Sequence, residues 1–190
     1  MEIKKFKNRP NIEHKIGDRS IFESRSVAVV GVIFAKIKAE KIGDYDKLYV
    51  LAEKRSATMM DSPGKWCVPC GYLDYNENGS EAMLREVYEE TGLYLPDYEK
   101  QLLNKVDSLQ PFYVRTDPEE NRQNVALSYC FVYDFTEIGL PEVESFKNSE
   151  IAQLKWIEIG ELYFSNGYDF AFSHDKRIFM AIDKFDKYLK

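Results

Sequence analysis

The sequence feature that most constrains the fold is an apolar run at residues 27–35, VAVVGVIFA. Most of its residues are β-branched and none is polar, which predicts a central strand buried on both faces. Residues 47–52 (KLYVLA) predict a second strand, and the turn residues Gly43 and Asp44 between the two runs indicate a hairpin. A charged segment at residues 53–55 follows this second strand.

Turn residues and apolar spacing predict the remaining elements of one mixed α/β domain. Residues 66–72 predict a short strand, followed by a helix that Ser80 caps and that ends near Thr91. Gly92 stands where a left-handed residue commonly ends a helix. Apolar residues at helical spacing predict a C-terminal helix over residues 175–189 that packs on the core. Further strands are predicted at residues 102–109, 124–135 and 153–157.

The acidic charge balance excludes some classes of partner. The formal net charge is −6 and the pI is near 5.1, whereas binding to a nucleic-acid polymer normally requires a basic surface. A small phosphate-bearing ligand is compatible with this acidic charge, because carboxylates can hold a divalent cation that binds phosphate. No apolar run is long enough to span a membrane, and no apolar stretch follows the basic start to form a signal peptide. A cytoplasmic protein is expected.

The three cysteines, Cys67, Cys70 and Cys130, are expected to be reduced thiols. Cys67 and Cys70 form a C-x-x-C pair, but a structural zinc site usually requires four ligands, commonly from two such pairs. No second pair exists, and His14 and His174 lie far from the cysteines in sequence. Packing in a strand and loop is therefore favoured over zinc binding or redox chemistry.

Three glutamates, Glu86, Glu89 and Glu90, fall within about a third of the circumference of the predicted helix. The residues on the opposite side are Leu84, Val87, Tyr88 and Thr91. One face is therefore expected to bury against the sheet while the other presents three carboxylates. Like charges on neighbouring turns destabilise a helix unless Arg85 or divalent cations such as Mg²⁺ or Mn²⁺ compensate them. By spacing alone, a solvated acidic face is the commoner explanation.

The whole segment from Gly71 to Leu93, GYLDYNENGSEAMLREVYEETGL, carries a more specific signal. It resembles the Nudix box, which reads glycine, five residues, glutamate, seven residues and R-E-U-x-E-E-x-G-U, where U is bulky and aliphatic. The matching residues are Gly71, Glu77, Arg85, Glu86, Val87, Glu89, Glu90, Gly92 and Leu93. The resemblance implies an α/β/α sandwich with a central mixed β-sheet over residues 27–190. Residues 1–26 would then be an N-terminal extension, either a strand or a dimer element.

The resemblance also implies roles for individual residues. Glu86 and Glu90 would be the main ligands of Mg²⁺, or of Mn²⁺ in its place. Glu89 would be a further ligand or would position the attacking water. Arg85 would orient these carboxylates through charge-assisted hydrogen bonds. The remaining expected contributions are a backbone carbonyl from Gly71 to the metal and either a supporting contact or a weak ligand from Glu77.

The general base is expected either on the box helix or in a loop outside it, and the substrate contacts are expected outside the box. Glu150, just before a predicted strand, is the candidate base, with an exposed loop glutamate as the equal alternative. Aromatic rings suit a nucleobase and arginines suit a phosphate, although each such residue is more often structural or solvated. The candidate substrate-binding residues are Phe112, Tyr113, Arg115 and Arg122. No subfamily signature identifies the substrate.

The loop before the box departs from the family pattern W-x-x-P-G-G at one position. It reads Trp66-Cys67-Val68-Pro69-Cys70-Gly71, with Cys70 where a glycine is common. If that backbone requires a positive φ, the cysteine is strained there. The resemblance also offers the simplest account of the C-x-x-C pair, as an accident of this loop.

The function that the resemblance implies is Mg²⁺-dependent hydrolysis of a phosphoanhydride bond by water. The substrate class is a nucleoside-diphosphate-linked compound, which includes ADP-ribose-like molecules, dinucleotides and nucleoside triphosphates. One alternative is a non-catalytic sensor of such a metabolite. Another is the isopentenyl-diphosphate isomerase branch of the fold, for which Cys67 would supply the pocket cysteine. The complete box favours the hydrolase, and family members are often homodimers.

Overall fold

The computed structural model describes residues 11–39, 46–117, 123–147, 149–164 and 167–190. The strands are β1 Ile12–Ile16, β2 Arg19–Glu23, β3 Val27–Ile37, β4 Lys47–Arg55, β5 Trp66–Cys67, β6 Cys70–Tyr72, β7 Tyr113–Arg115, β8 Val125–Asp134 and β9 Ile151–Glu158. The α-helices are α1 Gly79–Thr91, α2 Ile159–Phe164 and α3 His174–Leu189. Short 3₁₀ turns occur at Leu95–Tyr98, Asp107–Leu109 and Ala171–Ser173.

Within these described ranges, seven strands form one mixed sheet in the order β5-β4-β3-β8-β7. In addition, β6 pairs with β3 and β9 pairs with β4. The β3–β8 pair is parallel, and all other pairs of this sheet are antiparallel. The predicted central strand is confirmed as β3, whose middle residues are buried, and its predicted hairpin with β4 is confirmed too. However, β4 continues through the charged segment to Arg55.

The core has two layers because β3 alternates its side chains between the two faces of the sheet. Val30, Val32 and Phe34 belong to the same cluster as the α3 residues Ile178, Ala181 and Phe185. Val29, Ile33 and Ala35 belong to the cluster that contains the α1 residues Ala82, Met83 and Val87. Helices therefore cover both faces of a central mixed sheet, and the α/β/α sandwich is confirmed.

The predicted strand at residues 66–72 is divided into β5 and β6, which pair with different strands. Pro69 lies between them and has no N–H for a ladder, but its carbonyl accepts a hydrogen bond from the N–H of Gly31 at 2.9 Å. After this division, β6 lies next to α1.

The predicted strand at residues 102–109 is wrong. Only Leu102 forms a bridge, to Tyr133, and the segment then turns at Asp107–Leu109. The buried side chain of Asn104 donates to the carbonyl of Cys130 at 2.9 Å and accepts from the N–H of Val132 at 2.9 Å. One side-chain amide thus satisfies the edge groups of β8 that a neighbouring strand would otherwise pair.

The structure corrects the predicted capping residue of α1 and confirms the residue at which the helix ends. Asn78, rather than Ser80, caps the helix, since its side-chain oxygen accepts from the backbone N–H groups of Ser80 and Glu81. Glu81 returns a hydrogen bond to the N–H of Asn78, which completes a capping box. Gly92 ends the helix in the left-handed conformation with φ 69°, as predicted.

The described N-terminal residues form a separate antiparallel hairpin of β1 and β2, which turns at Gly17 with φ 60°. All residues of both strands are exposed. At the other end of the chain, α3 confirms the predicted C-terminal helix. Among the described residues, no helix combines the length and apolar character that crossing a bilayer demands.

Candidate active site

Helix α1 carries the acidic residues, but it buries more of them than the sequence predicted. Glu86 is 4% exposed and Glu90 is 6% exposed, whereas the side chain of Glu89 keeps 39% of its surface. Conversely, Tyr88 was expected on the buried face but is exposed, and its ring meets that of Tyr94 edge-on and that of Phe146 at a tilt. The acidic face of α1 therefore points into the protein, toward the loop that ends at β6.

Gly71 permits this burial because its backbone lies directly against Glu86. A Cβ atom at position 71 would lie 2.0 Å from Oε1 of Glu86 and 2.5 Å from Oε2. No side chain of any kind fits there without displacing the carboxylate. The glycine that opens the box is therefore required by close packing against Glu86 and not by a left-handed φ.

Arg85 connects the loop before α1 to the buried carboxylates. It binds both carboxylate oxygens of Glu77, from Nε at 3.0 Å and from Nη2 at 2.7 Å. Its Nη1 donates to Glu86 at 2.8 Å and to Glu89 at 3.4 Å, and its Nη2 also donates to the carbonyl of Tyr72. The hydrogen bonds from Arg85 lower the pKa of Glu77 and the bond with Glu77 raises the pKa of Arg85. This bidentate pair fixes the carboxylates relative to β6.

Lys147, in the loop before β9, is a residue that sequence reasoning missed. Its Nζ lies 2.8 Å from Glu86, 3.2 Å from Glu89 and 3.9 Å from Glu90. Burial disfavours the charged ammonium, but its hydrogen bond to Glu86 and the neighbouring carboxylates raise the pKa of Lys147 above its usual value. The ammonium of Lys147 thus lies among Glu86, Glu89 and Glu90, three of the four glutamates of α1.

Glu90 and Glu53 are buried acids whose pKa is raised by burial. Oε2 of Glu90 accepts from the backbone N–H of Cys70 at 2.8 Å, and burial raises the pKa of Glu90 well above its usual range. Glu53, in β4, is 2% exposed, and burial raises its pKa to about 7. Its Oε1 accepts from Sγ of Cys67 at 3.1 Å. Sequence reasoning treated Glu53 as part of a charged segment beyond the strand, so its burial was not foreseen.

The structure around the loop between β5 and β6 differs from two expectations, which concern the backbone of Cys70 and the position of His174. Cys70 is not among the residues with positive φ, so the expected backbone strain at this position is absent. His174, far away in sequence, lies beside Cys67 and Cys70, and one ligand atom from each of the three lies within 4.8 Å of the others. The view that nothing links the histidine to the cysteines is therefore wrong.

A cleft of about 630 Å³ opens beside the carboxylates. Its acidic side includes Glu86, Glu90 and Glu150. The basic residues that line it are Arg55, Arg115, Lys147 and Arg177, and the larger apolar ones are Met59, Met60 and Phe172. The guanidinium of Arg55 stacks over the ring of Phe172 at 5.1 Å from its centroid. Acidic and basic groups thus line the same cleft.

The predicted substrate residues fall in different places. Arg115 lines the cleft, and the exposed Glu150 lies at its edge. Phe112 packs edge-on against Phe185 of α3, with ring centroids 5.7 Å apart, and neither it nor Tyr113 is among the cleft residues. Arg122 lies outside the described residues. Arg55 and Arg177 were missed because nothing near them in sequence distinguishes them from surface arginines.

Comparison with known proteins identifies the family of this chain. A family model described as NUDIX domain matches residues 27–179. No curated protein sequence matches the chain significantly. Structurally, the chain is similar to the NUDIX domain of Shewanella oneidensis NrtR complexed with ADP ribose, with 17% identity over 86% of this chain and 90% of that one, at a TM-score of 0.56.

Two further solved structures show the same fold. One is a bifunctional NMN adenylyltransferase/ADP ribose pyrophosphatase from Francisella tularensis with AMP and a manganese ion (19% identity, 86% of this chain, 42% of that chain, TM-score 0.64). The other is a C. elegans Ap4A hydrolase (17% identity, 85% of this chain, 98% of that chain, TM-score 0.56). Identities this low establish the fold alone. The family match covers most of the sequence and includes the complete box, so this chain belongs to the NUDIX domain family.

Proposed function

We propose that this protein hydrolyses a phosphoanhydride bond in a nucleoside-diphosphate-linked substrate with the help of divalent cations, Mg²⁺ or Mn²⁺. The observation that carries the proposal is the convergence of Glu86, Glu89 and Glu90 on one positive charge, the ammonium of Lys147, at the edge of a cleft. Three carboxylates that already gather around a cation match the ligand set that hard divalent ions prefer.

The residues present fit such an ion. Glu86 and Glu90 would be its main ligands, and Glu89 and the backbone carbonyl of Gly71 would be further ones. The absence of a side chain at Gly71, where a Cβ would meet Glu86 at 2.0 Å, keeps the space beside Glu86 open to the backbone. When bound, divalent ions neutralise phosphate charge and lower the pKa of the attacking water.

The residues of the chain supply the remaining parts of the reaction. Arg85 holds Glu77, Glu86 and Glu89 in place through the hydrogen bonds described above. The partly exposed Glu89 is suited to orient the attacking water and accept its proton. Glu150 at the cleft edge is the second candidate for that role. A carboxylate within reach of the water can speed its attack by about 10²-fold or more.

Substrate binding is assigned to the basic and aromatic side of the cleft. Arg55, Arg115 and Arg177 offer planar guanidinium groups, which bind phosphate oxygens in pairs. Phe172 offers a ring at the same opening, which suits a nucleobase. Because the three arginines line the same cleft as the carboxylates, a diphosphate could contact both groups within it. The relatives that bind ADP ribose and AMP support this substrate class.

A homodimer is proposed as well, formed through the N-terminal hairpin. Its strands expose the apolar residues Ile12, Ile16, Ile21 and Phe22. Exposed apolar groups on a two-stranded sheet are unfavourable in water and suit contact with a second copy.

The proposal is tested by incubating the full chain with Mg²⁺ or Mn²⁺ and a substrate panel. The panel contains ADP-ribose, NADH, diadenosine polyphosphates, nucleoside triphosphates, nucleotide sugars and coenzyme A, and chromatography identifies the products. Hydrolysis in isotopically labelled water then shows which phosphorus is attacked. Metal-dependent cleavage of one compound, with label in one product, is the expected result.

Two variants and a control sharpen the test. Glu89→Gln and Glu150→Gln each remove one candidate base. The variant that lacks the true base should show a kcat at least about 100-fold lower than that of the parent protein. Glu137→Gln removes an exposed carboxylate elsewhere and should leave kcat unchanged. Tight binding of one panel member without any cleavage would reject the hydrolase and favour a metabolite-binding role.

A further inference from the structure

We infer that Cys67, Cys70 and His174, together with Glu53, form a second metal site that takes Zn²⁺ or a similar cation preferring sulfur and nitrogen ligands. The two cysteines lie on either side of Val68 and Pro69 in the loop between β5 and β6, and His174 begins α3. Thiolate and imidazole groups are the ligands that zinc prefers in structural sites. The inference is independent of the proposed hydrolase activity.

The geometry of the three ligands supports the site. Nδ1 of His174 accepts a hydrogen bond from the N–H of Val68 at 3.2 Å, so this ring nitrogen lies beside the segment between the two cysteines, and its lone pair would exchange that hydrogen bond for the ion. One ligand atom from each residue already lies within 4.8 Å of the others. In a tetrahedral zinc site, neighbouring ligand atoms are about 3.3 to 3.8 Å apart. The cluster therefore needs to contract by no more than about 1.5 Å to hold the ion.

Glu53 lies next to the group of three ligand atoms but outside it, so its side chain would turn toward the ion to become the fourth ligand, and it gives a second, independent indication of a cation. Its Oε1 lies 3.1 Å from Sγ of Cys67. Its other oxygen, Oε2, is buried and has no hydrogen-bond partner among the described residues. A buried carboxylate oxygen without a partner is costly, and native structures seldom keep one without an ion or water. A cation among the four side chains satisfies this oxygen.

The position of the site also gives the ion an entry path. Cys70 and His174 both line the cleft, so the ion can reach the buried Cys67 from solvent. On binding, the protons of the two thiols leave to solvent and no electron is transferred. Since four protein ligands leave no open position, the ion would be structural rather than catalytic.

The site would stabilise the loop on which the carboxylate cluster depends. Cys70 donates its backbone N–H to Glu90, and the adjoining Gly71 packs against Glu86. An ion held by Cys67, Cys70 and His174 would fasten this loop to the start of α3. The zinc ligands and the box carboxylates would thus share one loop while binding different classes of cation.

Cobalt provides the test, because its bond to thiolate absorbs light in a charge-transfer band that carboxylate ligands do not produce. The full chain is stripped of metal with a chelator, kept reduced with a phosphine and titrated with Co²⁺ in excess Mg²⁺. We expect a thiolate charge-transfer band that saturates at one equivalent and that Zn²⁺ abolishes by displacement. Zinc in the protein as purified, measured by elemental mass spectrometry, is expected at the same stoichiometry.

Variants separate the ligands from other cysteines. Cys70→Ser and His174→Gln should each weaken Co²⁺ binding at least tenfold, and Glu53→Gln should weaken it while keeping the thiolate band. Cys130→Ser is the matched control, because Cys130 is buried outside the cluster and should change nothing. A saturating titration without a charge-transfer band, or a band unchanged in Cys70→Ser, would overturn the proposal.

A measurement on the protein without substitutions tests the site even if the variants fail to fold. Bound Zn²⁺ should slow alkylation of Cys70 by a small thiol reagent at least tenfold, and a chelator should restore the rate. Equal alkylation rates with and without Zn²⁺ would contradict the site. A disulfide between Cys67 and Cys70 that persists under the reductant would contradict it equally.

Discussion

Lys147 donates a hydrogen bond from Nζ to Oε2 of Glu86 at 2.8 Å, although 61 positions separate the two residues in the sequence. The same ammonium lies near Glu89 and Glu90. The chain thus provides its own counter-charge to a group of acids that a divalent cation would otherwise neutralise. A metal ion that enters this cluster must compete with Lys147, and this competition can be measured.

Replacing Lys147 by an uncharged residue should therefore lower the stability of the metal-free protein and raise its affinity for the metal ion. In Lys147→Met without metal, buried carboxylates lose their partner, and we expect the free energy of unfolding to fall by about 2 to 3 kcal/mol. Saturating Mg²⁺ should restore most of this loss and should bind the variant more tightly than the parent chain. Urea denaturation with and without Mg²⁺ measures both effects. The control is Lys105→Met, an exposed lysine; an equal response of both variants to Mg²⁺ would refute the competition.

Gly71→Ala should displace the carboxylate of Glu86 while leaving every carboxylate of the site chemically unchanged. The new Cβ would lie 2.0 Å from Oε1 of Glu86, so this side chain must move away from its present position. We expect Mn²⁺ affinity, measured by calorimetry, to fall at least tenfold. Gly160→Ala is the control, because its Cβ would meet only Glu158 at an ordinary 3.6 Å. Unchanged affinity in Gly71→Ala would show that the ion does not depend on the position of Glu86.

Gly79 and Tyr129 should behave as a coupled pair. A Cβ at position 79 would lie 2.2 Å from the hydroxyl oxygen of Tyr129 but 3.2 Å from the adjoining ring carbon. Gly79→Ala should therefore destabilise the fold, and adding Tyr129→Phe should recover part of the loss because it removes the colliding oxygen. A double-mutant cycle in urea should show a favourable coupling of about 1 kcal/mol or more. Strict additivity would contradict the predicted collision.

Asn104→Ala should be one of the more damaging substitutions away from the cleft. It removes the amide that bonds to the carbonyl of Cys130 and the N–H of Val132, and both backbone groups stay buried without a partner. We expect a loss of about 2 to 4 kcal/mol in the free energy of unfolding. Thermal and chemical denaturation measure the loss, with the exposed Asn11→Ala as control. A loss below about 0.5 kcal/mol would mean that water replaces the amide.

The features that could be predicted from sequence are those with local causes. The strand β3 follows from its uninterrupted apolar run, and the end of α1 follows from Gly92, which takes the left-handed conformation. The acidic groups of α1 are predictable because helical spacing brings them together. In each case the residues that decide the structure are neighbours in the chain.

The features that were missed depend on residues distant in sequence. Nothing local distinguishes Lys147 from other loop lysines, and its role appears only where the loop before β9 meets α1. Similarly, the position of His174 beside two cysteines depends on how α3 packs against the loop between β5 and β6. The segment at residues 102–109 misled prediction because a side chain, that of Asn104, takes the place of a strand backbone.

The parallel pairing of β3 with β8 has a consequence for synthesis of the chain. Val27 pairs with Val125, so β3 emerges from the ribosome long before its central partner exists. Helix α1 lies between them in sequence and is complete before either β8 or Lys147 has been made. The nascent chain therefore keeps Glu86 and Glu90 in solvent until β8 and Lys147 have been made, and these two carboxylates become buried only after that.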